Sequence, residues 1–170
     1  MLVVLSDTHR ATGHGLTDHL VETVAAADRV IHAGDFTTPD VLEALRSVGP
    51  RVDAVHGNAD DERVRSRLPS ERTLTYEGVR IAVTHRADGG QTGLAMVGKQ
   101  AGADLVVSGH THRPTVVDGD PVLLNPGSHD EPRGSRPGYA RLEPRDGGLD
   151  GALCDLAGTV VEAFRVDGGR

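Results

Sequence analysis

Short apolar runs alternate with helical patterns along the first two thirds of the chain, and this order restricts the fold more than any other feature. The apolar runs predict strands over 1–6, 29–34, 51–57 and 104–109. A hairpin is predicted over 72–85, with its turn at Glu77 and Gly78. Helices are predicted over 16–27, 39–48 and 91–101. Because strand–helix–strand order favours parallel pairing, we expect an α/β fold.

The last third of the chain has a different pattern. Short strands dominate it and are predicted over 115–118, 121–125, 139–143, 149–155 and 159–166. These strands follow one another without intervening helices, so we expect them to pair antiparallel. The polar segment 126–138 is rich in Gly, Pro and Arg and is predicted to be a long functional loop.

Length and composition limit the class of protein. The 170 residues suit a single domain spanning 1–170, and with 2% aromatic residues its core must consist of Val, Leu, Ile and Ala. No apolar stretch is long enough to cross a membrane, and the single Cys154 cannot form an internal disulfide. We therefore expect a cytoplasmic protein that does not bind membranes.

The charge of the chain argues against a nucleic-acid duplex as a partner. The formal net charge is −7, and the 18 basic residues include one lysine, Lys99, and form no concentrated run. A duplex binder needs a basic patch, so stable duplex binding is not expected. The excess of carboxylates over lysine is typical of salt-adapted proteins, and we expect a halophilic source.

Residue types that bind metal ions follow five of the apolar runs. In chain order they are Asp7, His9, Asp35, Asn58, His85, His110 and His112. Each has an ordinary explanation alone, because acids and asparagine are common in turns and histidine can lie in a core. Ligands of open α/β sheets, however, bind beyond the carboxyl ends of the strands. The sequence therefore predicts convergence at one edge of the sheet, and glycines before Asp35, Asn58 and His110 allow the sharp turns required.

The donor types indicate which metal ions fit. Imidazoles, carboxylates and an amide oxygen, without a thiolate, suit divalent first-row ions and disfavour an iron–sulfur or structural zinc site. Seven donors are more than one tetrahedral ion uses. Two ions about 3.5–4 Å apart that share a bridging carboxylate would use them all. Mn²⁺ is the first candidate, with Ni²⁺, Fe²⁺, Co²⁺ and Zn²⁺ as alternatives.

The ordered set Asp-x-His, Gly-Asp, Gly-Asn-x-Asp, His and Gly-His-x-His resembles the calcineurin-like metallophosphoesterase superfamily. The similarity is greatest to its small single-domain phosphodiesterase branch in bacteria and archaea. It runs from Asp7 to His112, and the segment Asn-Pro-Gly-Ser at 125–128 is also similar. The resemblance implies a four-layer αββα sandwich with two mixed β-sheets.

The resemblance also implies a role for each matching residue. Asp7, His9 and His112 would bind the first ion, and Asn58, His85 and His110 the second. Asp35 would bridge both ions, and Asp35, Asn58 and His85 are the expected catalytic residues. The implied reaction is hydrolysis of a small phosphodiester by a hydroxide shared by the two ions.

The chain departs from the family pattern at two places. Ala59 stands where many members have a histidine that protonates the leaving group, so we expect good leaving groups to turn over best. Asp60 then has no histidine to orient, and it either supports the ligands or only forms a turn. The loop after His85 lacks a histidine common in relatives, and Arg86 and Arg133 are the candidates for binding phosphate, although both could be ordinary surface arginines.

Two other functions remain open at the level of sequence. The small retromer subunit has a similar fold but a degraded metal site and binds proteins, so a non-catalytic scaffold is one alternative. A phosphomonoesterase is the other, although such enzymes usually retain the histidine that Ala59 replaces. Family members are often dimeric or larger, so a homo-oligomer is compatible with the resemblance.

Overall fold

The computed structural model describes residues 1–169 as eleven strands and four helices. The strands are β1 (Leu2–Leu5), β2 (Arg29–His32), β3 (Val52–Ala54), β4 (Glu71–Tyr76), β5 (Val79–Thr84), β6 (Leu105–Val107), β7 (Thr115–Val117), β8 (Val122–Asn125), β9 (Tyr139–Arg145), β10 (Gly148–Cys154) and β11 (Val160–Asp167). The helices are α1 (Asp18–Ala25), α2 (Pro39–Val48), α3 (Glu62–Arg65) and α4 (Gln91–Ala101). The predicted elements are confirmed to within a few residues at their ends, whereas the short helix α3 was not predicted.

The strands form two mixed sheets. The first sheet has the order β11-β10-β9-β1-β2-β3, in which β1 pairs parallel with β2 and antiparallel with β9. The second has the order β4-β5-β6-β8-β7, in which β5, β6 and β8 are parallel and the edge strands β4 and β7 are antiparallel. The two mixed sheets implied by the resemblance are therefore confirmed.

The side chains of β1 show why the molecule has layers. Leu2 and Val4 belong to a core that lies between the two sheets, whereas Val3 and Leu5 belong to a second core with residues of α1 and α2. Successive side chains of a strand point to opposite faces, so one apolar run serves two cores. All four side chains are fully buried.

A third core lies on the outer face of the second sheet. Ala82, Val106 and Leu123 pack there against Leu94 and Ala95 of α4. Together the three cores give the order helix, sheet, sheet, helix, so the predicted four-layer αββα sandwich is confirmed. Among residues 1–169, no helix is both long and apolar enough to cross a membrane.

Local signals fix the ends of several elements. The hairpin between β4 and β5 turns at Glu77 (φ 48°) and Gly78 (φ 81°), the backbone pair that a tight two-residue turn needs. Helix α2 starts with Pro39 at its first position, where the missing N–H costs nothing. Helix α4 ends at Gly102 in the left-handed conformation.

The carboxyl ends of strands from both sheets meet at one side of the molecule. The sequence predicts convergence at the edge of one sheet, whereas β1, β2 and β3 belong to the first sheet and β5 and β6 to the second. The two edges are joined directly, because His85 Nδ1 after β5 lies 2.8 Å from the carbonyl oxygen of Ala33 after β2. The candidate site therefore lies between the edges of two sheets.

Candidate metal centre

The loops that leave these strands begin with strained backbone. Left-handed φ angles occur at Asp7 (56°), His9 (48°), Asp35 (61°), His110 (71°) and His112 (55°). Residues other than glycine rarely adopt this conformation, and such strain is concentrated at functional sites. Its effect here is to turn each chain sharply at the end of its strand.

The structure brings five of the predicted ligands into two close groups. Asp7, His9 and His112 form one group, and Asp7, Asp35 and His85 form the other, with possible ligand atoms within 4.8 Å of one another in each. His112 Nε2 lies 3.3 Å from Asp7 Oδ1. Asp35 Oδ2 lies 3.3 Å from His9 Nε2 and 3.1 Å from His85 Nε2. One carboxylate oxygen thus lies between histidines of the two groups.

Backbone carbonyls orient two of the imidazoles. The Nδ1–H groups of His85 and His112 donate to the carbonyl oxygens of Ala33 and Glu131. A carbonyl can only accept, so Nδ1 carries a proton in each ring and Nε2 is the nitrogen that faces the carboxylates. Within residues 1–169, the buried Nε2 atoms of His9 and His85 have no hydrogen-bond partner.

These features fit a divalent metal ion. Buried polar atoms are normally hydrogen-bonded, and a metal ion supplies a partner for imidazole nitrogens that have none. Imidazole and carboxylate donors without a thiolate suit a divalent first-row ion. The residues present can therefore hold the ions that the resemblance implies.

The other two predicted ligands lie at the edge of these groups. His110 is exposed, and its ring stands edge-on to that of His85 with the centroids 5.3 Å apart. Its backbone N–H donates to both carboxylate oxygens of Asp7, at 3.1 and 3.0 Å. Asn58 is exposed in a groove that His85 and Arg86 also line. Both residues border the centre, and His110 belongs to neither close group of the described histidines and acids.

The side chain of Asp60 forms hydrogen bonds to both of the loops that carry Asp35 and Asn58. Its buried carboxylate accepts hydrogen bonds from the backbone N–H groups of Asp35 (3.0 Å), Thr37 (2.7 Å) and Gly57 (2.7 Å). The sequence left a supporting role and a turn-forming role open, and these three bonds favour support. Removing the Asp60 carboxylate would leave these three backbone N–H groups without an acceptor.

Two glycines are required by close contacts rather than by their conformation. A Cβ atom at Gly57 would lie 2.2 Å from Asp35 Oδ1, and one at Gly109 would lie 2.7 Å from Asp7 Oδ2. Of the three glycines before a candidate ligand, which the sequence predicts to allow sharp turns, Gly34 alone has a left-handed φ, at 98°. Gly57 and Gly109 instead allow the backbone to approach the carboxylates.

Asn125, at the end of β8, and Ser128, in the segment 126–138, form hydrogen bonds to the loops that carry the candidate ligands. Ser128 Oγ donates to the backbone oxygen of Asp7 at 2.7 Å. Asn125 Nδ2 donates to the carbonyl of Gly109 at 2.6 Å and to Thr111 Oγ1 at 3.0 Å. Sequence reasoning singled out 125–128 by resemblance but gave its residues no role. These hydrogen bonds connect it to the turns on which Asp7 and His110 lie.

The two candidate phosphate-binding arginines lie in different surroundings. Arg86 is exposed beside His85 and forms no ion pair within residues 1–169. Arg133 pairs with Glu131 at 3.4 Å. Glu131 Oε2 in turn lies 3.5 Å from His9 Nδ1. The charge of Arg133 is therefore already paired with a carboxylate beside the centre. Arg86 is the better placed of the two to meet an anion.

Burial and neighbouring charges shift the pKa values of several side chains in the site. Burial lowers the pKa of His9, but the neighbouring Asp35 and Asp7 carboxylates outweigh burial and raise the pKa to about 9. Burial raises the pKa of Asp35, but the neighbouring His85 and His9 imidazoles outweigh this effect and hold the pKa well below its usual range. Burial and the nearby His85 lower the pKa of His110. Without metal, the carboxylates therefore hold a proton on His9.

Residues 1–147 match the model of the calcineurin-like phosphoesterase superfamily domain. The chain belongs to this superfamily. It is 36% identical over 173 residues to a probable metallophosphoesterase from Methanothermobacter thermautotrophicus, covering 96% of this chain and 97% of the relative. A phosphodiesterase from Methanocaldococcus jannaschii is 28% identical over 142 residues, covering 73% and 81%. The predicted superfamily and its small branch are confirmed.

The superfamily fold is also found by structural similarity. The crystal structure of Vps29 from Entamoeba histolytica complexed with Zn²⁺ matches with a TM-score of 0.78 and 22% sequence identity. The match covers 98% of each chain. At this level of identity the match shows that the two proteins share a fold.

Metal uptake should release a proton at neutral pH. His9, with its pKa near 9, holds a proton below that pH and must lose it to bind a metal ion, so falling pH opposes binding. Between pH 6.5 and 8.5 we expect the apparent affinity to rise about tenfold per pH unit for each proton released. Calorimetry in buffers of different ionisation enthalpy measures this proton.

The variant His9→Asn should release one proton fewer than the unaltered protein. His19→Asn, on the exposed side of α1, is the matched control and should keep the full pH dependence. An affinity that does not change with pH in the unaltered protein would contradict the charge state assigned to His9.

Replacing Asp60 with Asn should weaken metal binding by about ten- to a hundredfold, because one of its two acceptor oxygens becomes an NH2 group that cannot accept from the backbone N–H groups of the loops that carry Asp35 and Asn58. The neighbouring Asp61→Asn is the control, since asparagine caps a helix as well as aspartate does. Equal metal affinity in the two variants would show that Asp60 only forms the turn.

Proposed function

We propose that the protein is a metal-dependent phosphodiesterase with a dinuclear metal centre. Asp7, His9 and His112 would hold one ion, and Asn58, His85 and His110 the other, with Asp35 between them. The position of Asp35 Oδ2, 3.3 Å from His9 Nε2 and 3.1 Å from His85 Nε2, supports this assignment most directly. Asp7 belongs to both close groups and would hold the two ligand sets together.

The ions would supply the reactive part of the centre. Two divalent ions provide a hydroxide nucleophile near pH 7 and neutralise charge on the phosphoryl oxygens. The chain contributes the positions of the donors, fixed by the carbonyl bonds to His85 and His112 and by Asp60. Arg86, exposed beside His85, would bind the remaining phosphate oxygens.

Ala59 determines which esters the protein can cleave well. Its backbone N–H donates to Asp35 Oδ1 at 2.7 Å, and its methyl group can give no proton to a leaving group. An alcohol of low pKa leaves without protonation, so the site suits esters of acidic alcohols. A phosphodiesterase fits this arrangement better than a phosphomonoesterase.

The central experiment removes the metal and restores it. Protein stripped of metal and resupplied with Mn²⁺ or Ni²⁺ should hydrolyse bis(4-nitrophenyl) phosphate faster than 4-nitrophenyl phosphate. Asp35→Asn should abolish turnover, because the carboxylate shared by both ligand sets becomes a neutral amide, whereas Asp40→Asn on the exposed side of α2 should not. A faster monoester rate would favour a phosphomonoesterase, and bound metal without turnover would favour a scaffold.

Arg86→Ala should raise KM for the diester about tenfold, because a charge-assisted hydrogen bond to the phosphate is lost. Arg133→Ala is the matched control and should change KM little, since Arg133 already pairs with Glu131. Steady-state kinetics of both variants provide the comparison. An unchanged KM in Arg86→Ala would remove Arg86 from the substrate site.

A further inference from the structure

A cavity of about 210 Å³ opens beside the metal centre, between α4 and the ends of β6 and β8. Its apolar lining consists of Ala87, Leu94, Val117 and Leu123, and the polar residues Gln91, Ser108, Thr111, Thr115 and Asn125 also line it. Its mouth is formed by His85, Arg86 and His110, which also border the metal centre. A group held in this cavity would therefore be attached to whatever the centre binds.

Two polar side chains of the wall, those of Asn125 and Thr115, are already hydrogen-bonded to the protein. Asn125 donates to Gly109 and Thr111 and accepts from the backbone N–H of Gly127 at 2.9 Å. The hydroxyl of Thr115 donates to the carbonyl of Arg113 at 3.1 Å. The edge of a nucleobase would lose bonds to water here and find few replacements. The cavity therefore selects by shape and apolar contact.

A second groove, on the other side of His85 and Arg86, has the opposite character. It measures about 310 Å³ and contains polar and charged residues, namely His56, Asn58, Arg65, Ser70 and Glu71. The metal centre thus opens into one apolar and one polar space, with Arg86 at their junction. The phosphorus of a diester carries two substituents, and the two spaces offer them unlike surroundings.

The volume limits the apolar substituent. An engineered apolar cavity of about 150 Å³ holds benzene, so 210 Å³ has room for one aromatic ring or a branched alkyl group of similar size. We propose that this cavity is the subsite for an apolar ester group, and that the substrate is a phosphodiester with one such group and one polar group. This inference rests on the proposed phosphodiesterase function.

Binding of inert analogues tests the cavity without turnover. Methyl(phenyl)phosphinate and dimethylphosphinate carry the same charge, have no ester bond to cleave and differ by one ring. Calorimetry with the metal-loaded protein should show that the phenyl compound binds about tenfold tighter or more, because its ring is removed from water. Equal affinities would overturn the inference.

Two variants locate the preference in the cavity. Leu94→Trp fills the space, and Leu94→Gln makes its wall polar, so each should bring the ratio of the two affinities close to one. Met96→Trp adds the same bulk on the exposed face of α4 and should keep the ratio. An unchanged ratio of the two affinities in both Leu94 variants would overturn the inference. If one variant does not fold, an unchanged ratio in the other is enough to overturn it.

Hydrolysis separates this inference from the function on which it rests. In the metal-loaded protein, the kcat/KM for 4-nitrophenyl phenyl phosphate should fall about tenfold in Leu94→Trp and in Leu94→Gln and stay unchanged in Met96→Trp. Equal kcat/KM values in all three variants would overturn the subsite and leave the phosphodiesterase standing. A phenyl preference in binding, lost in the Leu94 variants, without hydrolysis of this ester would support the cavity and overturn the phosphodiesterase.

Discussion

The burial of two carboxylates side by side is the constraint on which the rest of the site depends. Asp7 and Asp35 are 0% and 1% exposed. Buried charges are costly unless they are paired and hydrogen-bonded, and backbone N–H groups of His110 and Ala59 provide part of the compensation. The remainder must come from positive charge, either a proton on His9 or metal ions. The high pKa of His9 and the metal affinity proposed here thus have the same cause.

Strained backbone is the means by which the chain assembles this pair. Five predicted ligands adopt left-handed φ angles, a conformation that costs of order 1–3 kcal/mol per residue. Such a cost persists only where surrounding contacts hold the loop. Asp60, Ser128 and Asn125 provide these contacts, each through hydrogen bonds to the backbone of a ligand loop. Side chains outside the candidate ligand set therefore determine whether those ligands can meet.

The difference between local and long-range contacts explains what the sequence could predict. The strands, the Pro39 helix start and the Glu77–Gly78 turn depend on neighbouring residues, so local patterns predicted them. The candidate ligands could also be singled out by local pattern, because each lies within a few residues of the end of its strand. The support of Asp7 by Ser128 joins residues 121 positions apart, and local spacing carries no trace of it. The meeting of two sheet edges likewise depends on long-range packing, and the sequence predicted convergence at the edge of one sheet instead.

Two unrelated features of the site lead to the same class of substrate. Ala59 supplies no proton, so the leaving alcohol must be acidic enough to depart as an anion. The cavity between α4 and the second sheet is apolar and admits about one ring. An aryl alcohol meets both conditions, because its ring is apolar and also stabilises the departing oxyanion. A histidine at position 59 could protonate a departing alkyl alcohol. With such a residue, the leaving group would not need to be an aryl alcohol.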